Sequence, residues 1–127
     1  MVLHPRKLDN VVSLKAQDRS DYFVRKVADF ESVWGLIDQG WATAQVGAAI
    51  AVPFWPEDTF AELCAVGEWQ GLHPKSIDLS DFLSKWLPGM ERDGRKCLIF
   101  PTPKENGFLM SPLDLMYLIK RELQQYE

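Results

Sequence analysis

The sequence predicts an α+β fold: a single domain in which an antiparallel sheet of short strands is packed by about four to five helices. Three observations carry this. Helix-spaced runs and strand-like runs are segregated along the chain instead of alternating. Three strand candidates between residues 32 and 54 are separated by turns too short for the crossover that parallel strands need. No linker rich in Pro, Gly or Ser divides the 127 residues, a length suited to one domain. Residues 1–6 read as a flexible N-terminal tail, and 7–127 as the domain.

Helical spacing begins near Leu8, with Val11 and Val12 three and four residues on, and a break falls at "KAQD". A second helix is predicted over residues 19–30, its core stripe made by Phe23, Val27 and Phe30 and its cap by Asp18 or Ser20. The period then shortens. "SVWGLID", "WATAQV" and "AAIAVPF" are rich in β-branched and aromatic residues, with a tight turn at Gln39 and Gly40, and read as an antiparallel meander.

"WPEDTFAELCAVGEW" is punctuated as a helix. Pro56 suits its first position, Glu57 and Asp58 its first turn, and Gly67 a left-handed cap. Phe60, Leu63 and Cys64 form its apolar stripe. After a short extended "KSIDL", Ser80 caps a helix carrying Phe82, Leu83, Trp86, Leu87 and Met90, which Pro88 ends or kinks near Leu87. "KCLIF" reads as a buried strand to which "FLM" at 108–110 pairs back. Ser111, Pro112 and Asp114 open a last helix whose apolar face is broad enough to pack on more than one side.

Composition removes several function classes. Eighteen acids against fourteen bases leave a net charge of −4, and no basic run offers a footprint for phosphates, so no nucleic-acid partner is expected. A mildly acidic chain is compatible instead with a basic protein partner, although −4 is also an ordinary solubility charge. No apolar stretch nears the roughly 20 residues of a membrane span, and "MVLHPRKLDN" lacks a secretory core, so a cytoplasmic protein with reduced thiols is expected.

Catalytic chemistry finds little to work with. Cys64 lies late in an acidic-start helix, where the dipole disfavours a thiolate, and reads as core. Cys97 in a strand and His73 in a loop, with Glu91 or Asp93, are the remaining route to an enzyme. A zinc site from Cys64, His73 and Cys97 lacks the paired short spacing of structural zinc. The carboxylate pairs Glu57 with Asp58 and Asp78 with Asp81 sit at helix starts, where capping explains them. No phosphate loop, nucleotide fingerprint or nucleophile elbow is present. No catalytic residue, metal ligand or cofactor is therefore assigned.

Five tryptophans are unusual in a chain of this length. Trp86 falls on a helix stripe and reads as core, whereas Trp34 and Trp41 flank the hairpin turn and Trp69 follows a cap. A two-residue turn would let Trp34 and Trp41 meet across the strands as one apolar patch. With the charged turn Glu91, Arg92 and Asp93 as its rim, that patch matches the anatomy of a transient interface. Trp34, Trp41, Trp69, Glu91, Arg92 and Asp93 are the candidate contacts. The reading is a non-catalytic protein-binding domain of inhibitor, immunity or adaptor type. The alternatives are an enzyme using Cys97 or His73 and a small-molecule binder with a tryptophan-lined groove.

The blocks "YFVRKVADFESVWGLID", "GWATA", "PFWPEDTFAELCAVGEWQG", "PKSIDLSDFLSKWLPGMERDG" and "FPTP" together resemble a family of small bacterial proteins, domain of unknown function 2750. The resemblance covers residues 8 to about 125. It implies a stand-alone cytoplasmic α+β domain from a bacterium and brings no catalytic residue or cofactor with it.

Overall fold

The computed structural model describes residues 5–125. Two helices, α1 (Pro5–Val12) and α2 (Ala16–Phe30), lead into strands β1 (Ser32–Ile37), β2 (Ala44–Val46) and β3 (Ala49–Phe54). Helix α3 (Asp58–Leu63), a 3-10 turn at Gly67–Trp69 and strand β4 (His73–Asp78) follow. Helical backbone then runs from α4 (Leu79–Asp81) through a π segment (Phe82–Trp86) into α5 (Leu87–Arg92). Strands β5 (Lys96–Ile99) and β6 (Phe108–Met110) precede α6 (Pro112–Gln124). The α+β class is thus as expected. Of the tail expected at 1–6, residues 1–4, with His4, lie outside the described residues, and Pro5 and Arg6 open α1.

The strands do not form a simple meander. β2 and β3 make the expected hairpin, Gln45 opposite Ile50, but β1 pairs with β4, Val33 opposite Ile77. The larger sheet has the order β2-β3-β5-β6, and its central pair, β3 with β5, is parallel. The stretch from Trp55 to Arg95 supplies the crossover that the 32–54 segment lacks room for. Turn spacing fixes neighbours in sequence, not which extended segment takes a free edge. Here "KSIDL" takes the edge of β1. Trp34 and Trp55 exchange backbone hydrogen bonds of 2.9 and 2.8 Å and join the two sheets.

Side-chain alternation sorts the larger sheet's faces. Val52 and Phe54 of β3 and Cys97 and Ile99 of β5 face the core with Phe23, Phe82, Leu87, Leu115 and Ile119. Phe54 stands edge-on to Phe82 at 4.9 Å, and Trp86 edge-on to Trp41 at 4.8 Å. Each such pair adds about 0.5–1.5 kcal/mol beyond area burial. Trp86 itself is half-buried, not sealed in the core.

Several local expectations are corrected. Lys15, not Asp18 or Ser20, occupies the N-cap of α2, without a side-chain bond. Phe30, at the last position of α2, is 41% exposed, and its ring lies beneath the Lys26 ammonium instead of in the core. Helix α3 ends at Leu63, and Gly67, though left-handed, opens the 3-10 turn that carries Trp69. Asp78, not Ser80, caps α4: its carboxylate accepts from the Ser80 and Asp81 N–H groups and the Ser80 hydroxyl. Pro88 does not stop its helix. The Leu87 N–H reaches back to the Phe82 carbonyl, a wide π turn that carries the backbone past a proline with no N–H to give. Ser111 and Pro112 do open α6 as expected, with the Ser111 hydroxyl accepting from the Asp114 N–H at 3.1 Å. As expected, α6 packs on more than one side, against α2, α5 and β5, while Leu113 and Tyr117 on its outer face remain exposed.

Candidate functional site

The most heavily constrained backbone is the loop 100–107, which leaves the carboxyl end of β5. Phe100 is fully buried and left-handed, φ 53°, a conformation a bulky residue holds only when its surroundings impose it. They do. The Phe100 N–H donates to the Phe54 carbonyl at 2.9 Å, and Arg19 Nε donates to the Phe100 carbonyl at 3.0 Å. The next carbonyl, on Pro101, accepts from Trp55 Nε1 at 2.9 Å and from the Cys64 thiol at 3.2 Å. Thr102 and Glu105 exchange backbone bonds.

Arg19 is wholly buried at the start of α2. Its Nη1 donates to the Leu14 carbonyl and to Glu105 Oε1 at 3.3 Å, tying the loop's outer arm to the same guanidinium. Beside it the Tyr22 ring packs on Phe60 and Phe100. Burial, reinforced by the Glu57 carboxylate and opposed by Arg25, pushes the Tyr22 hydroxyl up to about 12. Burial also raises Glu57 above the usual carboxylate range, against the pull of Lys26 and Lys7.

This loop forms one wall of a cleft of about 820 Å³. The opposite wall is β2, an edge strand of the larger sheet, and the 3-10 turn with Glu68 and Trp69. Leu98 and Cys64 form the floor. Trp69 is fixed by donating Nε1 to the Thr43 carbonyl at 3.1 Å and by standing edge-on to Trp55 at 5.9 Å. Glu68 and Glu105 are the cleft's charged residues; no Lys, Arg or His lines it. Cys64 is 4% exposed, burial lifts its thiol to about 11, and the thiol donates to the Pro101 carbonyl.

Of the six sequence candidates, Trp69 lines this cleft and the other five do not. Trp34 is half-buried, paired through its backbone to Ser76 and Trp55. Trp41 pairs with Ile37, and its ring sits over Gly35 against Trp86. Neighbours on a strand point to opposite faces, so Trp34 and Trp41 lie on opposite sides of β1 and form no cross-strand patch. Glu91, Arg92 and Asp93 project into solvent at the end of α5, with Arg92 Nε 4.0 Å from Asp93 Oδ1. Cys97 is sealed in the core, where burial and Glu91 lift its thiol to about 12, and His73 is exposed on β4 and does not line the Trp69 cleft. Cys97, on which one route to an enzyme rested, is out of reach of solvent in this fold. Among the described residues, no three His, Cys, Asp or Glu side chains converge as metal ligands, and no helix is long and apolar enough to cross a membrane.

Arg19, Glu68 and Glu105 were not among the candidates. Arg19 had a signal: it stands four residues before Phe23, on the core stripe of α2, where a charge needs a buried partner.

A family model described as "Protein of unknown function (DUF2750)" matches residues 20–119. The chain belongs to this family. No curated protein and no solved structure matches it. The matched DUF2750 region spans both sheets and every residue that lines the cleft, from Ala44 to Asn106. Arg19 stands one residue before it.

Proposed function

We propose that this DUF2750 domain is a non-catalytic protein-binding module that takes an extended, basic segment of a partner protein in the Trp69 cleft. The observation that carries the reading is the pairing of an edge strand with an aromatic and acidic wall. β2 offers the unpaired side of a sheet, where a peptide strand gains backbone hydrogen bonds. Glu68 and the half-exposed Glu105, whose Oε1 is held by Arg19, are, among the described residues, the only charged ones lining the cleft, and the Trp69 indole supplies a face for an ammonium or guanidinium. The acidic net charge favours the same partner at long range. An adaptor or inhibitor of a basic protein fits this chemistry. The compartment assumed is a bacterial cytoplasm, where two unpaired thiols stay reduced.

The test is a peptide array of extended segments, lysine- and arginine-rich against acidic and neutral. Hits are titrated by calorimetry against the native protein, Trp69→Ala and Glu68→Lys, with circular dichroism confirming each fold. Selective capture of basic segments, weakened by either substitution and by salt, is the expected result. Binding that ignores both substitutions, or no preference for basic segments, refutes the assignment.

A further inference from the structure

A second face of the domain lacks a partner within the chain. On α6, Leu113 and Tyr117 stand one turn apart and are 53% and 63% exposed. Leu109 of β6, the strand at the far edge of the larger sheet, is exposed as well. Leu109, Tyr117 and Arg121 line a groove of about 680 Å³ between β6, α6 and the start of α2. Large apolar side chains scattered singly are ordinary on a surface, whereas a ridge beside a groove marks an interaction site.

The charges indicate what covers it. The exposed face of α6 is acidic at its start, through Asp114, and basic at its end, through Lys120 and Arg121. Such a face is complementary to itself reversed. Asp114 and Lys120 lie three residues either side of Tyr117, so an antiparallel copy centred on Tyr117 sets each Asp114 against Lys120 and Arg121 of the second copy. Leu113 then meets the aliphatic stem of the second copy's Arg121, whose counterpart already lies over its own Tyr117 ring at 5.7 Å. A parallel copy would set acid against acid and base against base.

We propose that this face is the interface of a symmetric homodimer in which α6 packs antiparallel on α6 of a second copy. The groove beside it shares no lining residue with the Trp69 cleft.

The test is sedimentation velocity on the full chain from micromolar to near-millimolar concentration, at low and high salt. The variants are Tyr117→Glu, Asp114→Lys, Lys120→Glu and the double swap D114K/K120E; all three positions are exposed, so the fold survives. A reversible dimer is expected that weakens in salt and is lost in Tyr117→Glu. Each single swap, acting at two symmetric contacts, should raise Kd by about tenfold, and the double swap should restore it. A monomer at every concentration, a dimer indifferent to Tyr117→Glu, or a double swap no tighter than the singles overturns the proposal.

Discussion

The indole of Trp41 occupies the space that a side chain at position 35 would need: a Cβ built on Gly35 would meet Trp41 Cζ3 at 2.8 Å and Cε3 at 2.9 Å. The ring cannot simply swing away, because Trp86 stands against it at 4.8 Å. Gly35→Ala should therefore cost about 1–3 kcal/mol as an overpacked site. Trp41→Ala, at a half-buried ring, should cost about 2 kcal/mol. The two should not add: in the Trp41→Ala background, Gly35→Ala loses most of its penalty. Urea midpoints of the four proteins measure this, and additive penalties would show that the ring is free to move.

Arg19 holds two backbone carbonyls, those of Phe100 and Leu14, in a site with no exposure. Arg19→Met keeps the apolar stem but strands both acceptors. A loss of about 3 kcal/mol is expected. Glu105→Gln removes only a half-exposed carboxylate and should cost less than about 1 kcal/mol. Equal losses in chemical denaturation would mean that the ion pair, not the carbonyl bonds, is what Arg19 contributes.

Gly107 combines φ 86° with close backbone on one side: an added Cβ would lie 2.6 Å from the Ile99 carbonyl oxygen and 2.8 Å from the Pro101 nitrogen. Backbone cannot rotate away as a side chain can. Gly107→Ala should cost about 3 kcal/mol or more, combining strain and clash. Gly47→Ala, also left-handed but with open space around it, should cost only the strain, about 1–2 kcal/mol. Thermal unfolding that ranks them the other way would contradict the loop's geometry.

Alkaline pH should unfold the protein through its thiols. Cys97 ionises near 9 when unfolded, whereas burial holds it at about 12 in the fold. The folded state keeps its proton longer, so this stability is fully present below pH 9 and is lost as pH rises toward 12. Between pH 9 and 10.5 Cys97 alone accounts for about 2 kcal/mol. Cys64, held at about 11, and Tyr22, at about 12, act in the same direction. Cys97→Ala should show a shallower fall of urea midpoint over this range, whatever its stability at pH 7. An unchanged slope would mean that Cys97 ionises as freely folded as unfolded.

How much could be read in advance depended on the range of the interaction. The start of α6 was legible because Ser111, Pro112 and Asp114 act on backbone within one turn. So was the β2–β3 hairpin, closed by a short turn. The partner of β1 was not, because β4 lies some forty residues away and nothing near Trp34 encodes it. The passage of helix through Pro88 was missed for a local reason: a π turn reroutes the hydrogen bonds that proline would have broken. At the site, Trp69 was found by its rarity and its place after Gly67. Its acidic neighbours were not, since Glu68 and Glu105 come together only when the loop 100–107 folds back beside the 3-10 turn.

The bond from Arg19 to Phe100 spans 81 residues, and the parallel pair joins Ala51 to Lys96. Contacts of such separation close late, after the loss of chain entropy that brings them together. During synthesis β3 must therefore wait, one side open, until β5 emerges, while the guanidinium at the start of α2 waits for the carbonyl that receives it. A nascent chain cut short before residue 96 holds both halves of the problem and neither half of the solution. It exposes an apolar strand paired on one side only, beside an uncompensated charge, which is the form in which a short chain seeks a wrong neighbour.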